Sequence, residues 1–482
     1  MSEPDAVDVF DARLVLGVQG PLRAFNHAGV LSTSDVHVAL RLARLSTLRH
    51  DDVCLGAAFA ARAPRLGNVC VDLATIHATA DADADAPQDL GALPWPDPTV
   101  WLRHMSGSPI VGIDRPLHLE GTTLYLDRLW ADECLVAAEL RDRGKGRDVT
   151  YSRKVFLPIT NLCRDRCTYC TFRKDPGDPG AWTMMPDEIA QWSRRGAELG
   201  CKEALMCLGD KPEVAFKEYR ETLATLGVRT TIEYVGRACE IALAEGLLPH
   251  TNAGLMTFEE MRALRPLNVS MGLMLESISP RLRARGGVHQ AAPDKDPALR
   301  MKMIDEAGAL RIPFTTGILL GIGENPAERA LSLTAIRDTH ERHGHIQEVI
   351  IQNFRAKPEI AMADAPEPDA YDMARAIATA RLVLGPSMNV QAPPNLSPRQ
   401  IELFLNAGIN DWGGISPLSK DYVNPEAPWP HLDRLGDQCA RAGFTLGERL
   451  AIYNEYINDE WLDPAVATKV RAIWDRPVGG QS

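Results

Sequence analysis

From Val155 onwards, short apolar runs alternate with stretches in which apolar residues recur every three or four positions. The runs suit strands covered on both faces and the periodic stretches suit amphipathic helices. Their alternation is the pattern of parallel strands joined by crossover helices. VFLPIT (155–160) predicts the first strand, and residues 186–200 a helix. Strands are predicted over 204–209, 248–256 and NVSMGLMLES (268–277). Helix DPALRMKMIDEAGAL, strand IPFTTGILLGIG, helix NPAERALSLTAIRDTHERHG and strand IQEVIIQNF follow. Six such units predict an α/β chain folded as a partial (β/α)6 TIM-like barrel, whose reactive groups sit on loops at the carboxyl ends of its strands.

Before the charged, glycine-containing stretch RDRGKGRDVTYSRK the pattern is less regular. SDVHVALRLARLS and VCLGAAFAARAPR predict helices, RPLHLEGTTLYLDRLW a β-hairpin, and DADADAPQDLGALPWPDP a solvated linker. The expected division is a small mixed α+β N-terminal domain over 1–145, a barrel core over 146–365, and a C-terminal segment over 366–482 that completes and caps the active site. Composition adds bounds. The chain has 482 residues, 45% of them hydrophobic, and a formal net charge of -12. No run of eighteen apolar residues occurs, and the N-terminus MSEPDAVDVFDARL is acidic, so neither a membrane span nor a secretory signal is expected. Ten cysteines are few for a disulfide scaffold of this length, which points to reduced thiols and a cytoplasmic location. The acidic balance supplies no electrostatic footprint for nucleic acid.

Three of those cysteines change the picture. Cys163, Cys167 and Cys170 stand in NLCRDRCTYCTF with the spacing C-x3-C-x2-C, and no fourth cysteine or histidine follows closely. A structural zinc site needs four ligands, and the next histidine is His250. An electron-transfer ferredoxin cluster likewise takes four cysteines. Three thiolates suit a 4Fe-4S cluster whose fourth iron stays open, which is the arrangement that chelates S-adenosylmethionine.

Other candidate positions follow strand ends. Tyr169, between the last two thiols, either lies along an adenine or packs the loop. Gly209 and Asp210, closing the second strand in CLGDKPE, allow backbone to approach a ligand. Glu276 ends an apolar strand and is read as a pocket carboxylate for ribose hydroxyls or an ammonium. GILLGIGE, with Gly321, lacks the Lys-Ser/Thr of a nucleotide-triphosphate loop and suits either close approach to adenine or a tight turn. Cys201, Cys207 and Cys239 read as inert core thiols, and Cys54, Cys70, Cys134 and Cys439 show no metal spacing. The stretch VQAPPNLSPRQIELFLNAGINDWGGISPLSKDYVNPEAPWP, carrying Asn395, Asp411 and Trp412, reads as a long ordered loop closing the active site.

Taken together, TYSRKVFLPITNLCRDRCTYCTF, CLGDKPE, LLPHTNAGLM, MGLMLES, GILLGIGE, QAPPNLSP and NDWGGISPLSKDYVNPEAPWPHL resemble the radical S-adenosylmethionine subunit of 7,8-didemethyl-8-hydroxy-5-deazariboflavin (FO) synthase over residues 149–474. The resemblance implies that Cys163, Cys167 and Cys170 hold the cluster, with Gly209, Asp210, Glu276 and Gly321 as cofactor contacts, to which the place of Tyr169 between the thiols adds a further candidate. It implies a lyase step of coenzyme F-420 biosynthesis, in which a 5'-deoxyadenosyl radical acts on a tyrosine/ribityl-diaminouracil adduct and ammonia is lost. The adduct would come from a sister radical enzyme, on a separate chain since no second cysteine triplet occurs here, and the electron from a ferredoxin or flavodoxin. LRAFNHAGVLSTSDVHVALRLARL, RLGNVCVDLA, LPWPDP and RPLHLEGTTLYLDRLW are similar to the N-terminal domain of the exodeoxyribonuclease V alpha subunit. No GxxxxGK followed by Ser or Thr occurs, so ATP-driven unwinding is not expected, and a partner-docking remnant or a gene fusion is.

Overall fold

The computed structural model describes residue 11 and residues 13–44, 50–82, 89–112 and 115–474. They form two compact units, Met1–Leu135 and Val136–Ser482.

In the first unit both predicted helices form, as Thr33–Ala43 and Asp51–Arg65. Ser32 starts the former with a capping box: its hydroxyl accepts from Asp35 N, and the Asp35 carboxylate accepts from Ser32 N. Three short antiparallel strands, β1 (Cys70–Asp72), β2 (Leu117–Glu120) and β3 (Thr123–Leu126), lie in the order β1-β3-β2. β2 and β3 are the predicted hairpin, in register from Leu117↔Leu126 to Glu120↔Thr123. Phe25, Phe59 and Trp101 are buried at the centre of this core. Residues 83–88 of the expected linker, and residues 45 and 46 of the first expected helix, lie outside the described residues.

The second unit contains β4 (Asp148–Pro158), β5 (Glu203–Cys207), β6 (Leu248–Asn252), β7 (Ser270–Gly272), β8 (Phe314–Leu320), β9 (Ile346–Asn353), β10 (Val390–Gln391), β11 (Asp411–Ile415) and β12 (Thr445–Arg449). All pair in parallel, in sequence order from β4 to β11. β11 pairs again with β4, so the expected six-stranded partial barrel is in fact a closed ring of eight, with β12 added alongside β4. The last strands escaped the apolar-run criterion because β10 has two residues and β11 reads DWGGI. Asp411 and Trp412 therefore belong to a strand rather than to a closing loop, and the expected strand over 268–277 shrinks to three residues before the chain leaves the sheet.

Alternation along β4 explains the rest of the architecture. Val149, Val155 and Leu157 are fully buried apolar positions, and Val155 packs where helix Pro186–Glu198 comes close at Gly196. On the other parity, Thr150 and Ser152 donate to Asp411 and Glu203, and Lys154 pairs with Glu203 at 2.7 Å. Arg449 completes this polar filling: Nε lies 2.6 Å from Asp411 Oδ2 and Nη2 2.7 Å from Glu348 Oε1. Charges buried at this depth persist because each faces a partner. Among the described residues no helix is long and apolar enough to cross a membrane.

Candidate active site

The carboxyl ends of the ring strands open into a cavity of about 310 Å³. Cys163, Cys167 and Cys170 line it, on the loop that follows β4. Backbone bonds fasten that loop to the chain after β7: Arg166 N donates to Ala291 O at 2.9 Å, and Thr168 N to Val288 O at 3.2 Å. Asp210 N donates to Cys163 Sγ at 3.1 Å, and Arg164 N donates to Asp210 O at 3.0 Å. The three cysteines are free thiols. Burial pushes both Cys163 and Cys167 up to about 12, so their surroundings do not make thiolates by themselves.

The donor set discriminates between metals. Among the described residues, the only three His, Cys, Asp or Glu groups with ligand atoms all within 4.8 Å of one another are Asp165, Asp210 and Asp294. Three thiols on one loop fall one short of the four ligands of a structural zinc site and suit a cluster with an open iron.

Gly209 is the hinge of this packing. A Cβ there would lie 2.0 Å from Leu162 O and 2.6 Å from Cys163 Cβ, so only glycine lets β5 end against the cysteine loop. Asp210 turns its carboxylate to the chain after β6, where Oδ2 accepts from Leu255 N at 3.2 Å. Oδ1 is buried with no partner among the described residues. Burial, with nearby Asp294, pushes this carboxyl up to about 7. Arg164 and Arg300 balance the acid group: the Arg164 guanidinium pairs with Asp294, and Arg300 Nε donates to Asp294 O at 2.9 Å.

Glu276 follows β7 with φ +66°, a left-handed conformation uncommon outside glycine. Two backbone bonds hold it against β8, Glu276 N to Gly317 O at 3.1 Å and Leu319 N to Glu276 O at 3.0 Å. Its carboxylate lines the cavity and is ion-paired with Lys295. Burial raises its pKa, but Lys295 and Arg300 outweigh burial and leave it below the usual carboxylate range. Tyr169 also lines the cavity; its hydroxyl shares a 2.8 Å hydrogen bond with His289 Nε2, and burial holds that imidazole neutral, down at about 4. Gly321 (φ +88°) is not among the lining residues. Its missing Cβ makes room for Pro368, 2.6 Å away, while Gly321 N and Ile322 N both donate to Glu324.

Several cavity residues gave no sequence signal, because each is an ordinary polar residue with no motif around it. Lys295 and Arg300 come from APDKDPALR, the amides Gln352 and Asn353 from the end of β9, and Lys357 from the loop beyond. Cys207, read as an inert core thiol, is the last residue of β5 and lies in the cavity wall. The late loop does reach the cavity, but through Tyr422, Val423 and Asn424. Thr171 Oγ1 donates to Val423 O at 2.7 Å, and Lys357 Nζ to Asn424 Oδ1 at 2.8 Å. Asn395 stays outside the wall and braces the loop by donating to Asp421 at 2.9 Å.

Comparison with known proteins agrees with this picture. Residues 157–336 match the radical SAM superfamily, whose members bind a 4Fe-4S cluster and S-adenosylmethionine, and residues 27–125 match the N-terminal domain of the RecBCD enzyme subunit RecD. The chain is 48% identical over 328 residues to 7,8-didemethyl-8-hydroxy-5-deazariboflavin synthase of Methanopyrus kandleri, covering 68% of this chain and 98% of that protein. It is 50% identical over 369 residues to the FO synthase of Mycobacterium tuberculosis, covering 72% of this chain and 43% of that protein. The chain thus spans less than half the length of the mycobacterial relative. In fold it is similar to the FeFe-hydrogenase maturase HydG from Carboxydothermus hydrogenoformans (TM-score 0.55, 16% identity, 72% of this chain and 81% of that one). Methylornithine synthase PylB is comparable (TM-score 0.53, 17% identity, 68% and 91%).

Proposed function

Since the chain belongs to the 7,8-didemethyl-8-hydroxy-5-deazariboflavin synthase family, we propose that it is the lyase that closes the 5-deazaflavin ring of FO, acting on an adduct of tyrosine and 5-amino-6-ribitylaminouracil with loss of ammonia. The observation that carries this reading is the convergence of Cys163, Cys167 and Cys170 with Asp210 and Glu276 on one cavity at the strand carboxyl ends. When bound, the cluster and S-adenosylmethionine supply the 5'-deoxyadenosyl radical that takes hydrogen from the adduct.

The chain's own residues hold and enclose. The three thiols would bind iron as thiolates, and because burial keeps two of them protonated in the free protein, loading releases protons. The Asp210 N–H steadies the Cys163 sulfur. The unpartnered Asp210 Oδ1 can accept from the methionyl ammonium, and Glu276 can share its carboxylate between Lys295 and ribose hydroxyls. Tyr422, Val423 and Asn424 narrow the cavity and limit water. A sister radical enzyme supplying the adduct, a ferredoxin or flavodoxin reductant and a reducing cytoplasm complete the proposal.

The deciding experiment is anaerobic reconstitution followed by supply of S-adenosylmethionine, a reductant, the sister enzyme, tyrosine and the ribityl-diaminouracil. About four irons per chain and FO are expected. Cys163→Ala, Cys167→Ala and Cys170→Ala should each abolish both iron loading and 5'-deoxyadenosine formation. Low iron with one bound zinc overturns the reading.

A further inference from the structure

The cavity has two chemically different walls. Around the cysteine loop the lining is charged, with Asp165, Asp210, Glu276, Lys295 and Arg300. At the ends of β6 and β9 it is made of neutral amides: Asn252, Gln352 and Asn353. Asn353 is the last residue of β9, is only 5% exposed, and its backbone is fixed by pairing with Leu320 of β8. Its carbonyl Oδ1 is buried with no hydrogen-bond partner among the described residues.

Interior polar groups are nearly always paired, so an unpaired amide on a cavity wall marks a place where a ligand makes the missing bond. The side chain offers one acceptor and one donor group in a single plane. That pair matches the adjacent carbonyl and N–H on the edge of a cyclic imide, as asparagine and glutamine match base edges bidentately. A carboxylate ligand would call for a free cation, whereas the basic groups nearest along the chain already face acids, Arg355 with Glu367 at 3.4 Å and Lys357 with Glu426 at 3.9 Å.

We infer that Asn353, with Gln352 beside it, determines specificity for the pyrimidinedione ring of the substrate by holding its imide edge. The inference rests on the function proposed above. It is tested with full-length, anaerobically reconstituted protein titrated with 5,6-diaminouracil by calorimetry, with ribitol as competitor. Wild type should bind the uracil, and Asn353→Asp and Asn353→Leu should weaken binding by about tenfold to a hundredfold with iron content and S-adenosylmethionine binding unchanged. In the FO assay KM should rise while kcat holds, the split expected when ground-state contacts are lost.

Three results overturn the inference: no binding of 5,6-diaminouracil to wild type, equal binding by both variants, or displacement by ribitol that depends on Asn353, which would make the amide a polyol contact. The two proposals fail separately. Asn353-dependent uracil binding without FO formation sinks the ring-closing function alone, and FO formation indifferent to Asn353→Leu sinks this assignment alone.

Discussion

Gly209→Ala tests whether the end of β5 seats the cysteine loop. The added methyl would start 2.0 Å from Leu162 O, 2.7 Å from the carbon that carries it and 2.6 Å from Cys163 Cβ. A carbon–oxygen contact settles at about 3.3 Å, so this backbone must retreat by about 1.3 Å. Little can give way locally, because Gly209 N donates to Thr160 O at 3.0 Å while Asp210 and Arg164 tie the two loops together from the other side. Overpacking of this kind costs about 1–3 kcal/mol of stability. A functional loss should accompany it, since misplacing a catalytic constellation by about 1 Å costs on the order of a hundredfold in rate. Iron per chain, cluster absorbance and the rate of 5'-deoxyadenosine formation read the effect, with Gly447→Ala as control because nothing lies within 4 Å of a Cβ there. If Gly209→Ala loads iron fully and cleaves S-adenosylmethionine at the wild-type rate, the seating argument is wrong.

Other outcomes follow from buried and paired charges. Arg449→Met strands Asp411 and Glu348 inside the ring, where breaking a buried pair costs about 3–5 kcal/mol; an unchanged urea midpoint would show that the pairs carry no stability. Hydrogen bonding from Arg281 holds Glu328 down at about 2 instead of 4.5. A lowered carboxylate stabilises fully above its unfolded pKa, so this contribution should be intact above pH 4.5 and vanish towards pH 2. Arg281 is more than half exposed, so the amount is about 0.5–1 kcal/mol, read as the gap in melting temperature between wild type and Glu328→Gln, which should close on acidification and shrink in salt. A truncation starting at Val136 should stay soluble and load iron, whereas one starting at Gly146 removes buried Arg141, whose guanidinium donates to Leu405 O and Ile409 O and lies 4.4 Å from the Phe444 ring. Equal melting temperatures for the two fragments would refute that role.

Periodicity made most of the ring legible. The strands from residue 155 to 354 and the helices Pro186–Glu198, Pro297–Ala309 and Pro326–His343 were readable because apolar runs and three-to-four-residue spacing report burial directly, whereas the helices Lys217–Thr225, Thr231–Ala244 and Phe258–Leu264 were not singled out. Boundaries moved where the chain leaves the sheet while staying apolar, as after β7, where Leu273 N still donates to Thr315 O of β8 and pairing resumes at Glu276. β10 and β11 were unreadable for the opposite reason: short, polar or glycine-rich strands are stabilised by neighbours rather than by their own pattern.

The chemistry divided in the same way. C-x3-C-x2-C is local, so eight residues were enough to point to an open-iron cluster, and the strand before them placed it at the carboxyl end of a parallel barrel. Glu276 and Gly209–Asp210 were read as strand ends; they lie just beyond β7 and β5 and line the cavity. What no sequence pattern contains is convergence: the Lys295–Glu276 pair and the grip of Asp210 on Cys163 Sγ join separate segments, and burial at the cavity leaves Asn353 Oδ1 without a partner among the described residues. Sequence by itself determined the alternation of elements and the three-cysteine loop, because both rest on short-range spacing. The tertiary structure alone decided that the ring closes with eight strands and that charged and amide walls face one cavity, because closure and burial are set by hydrogen bonding and packing between distant segments.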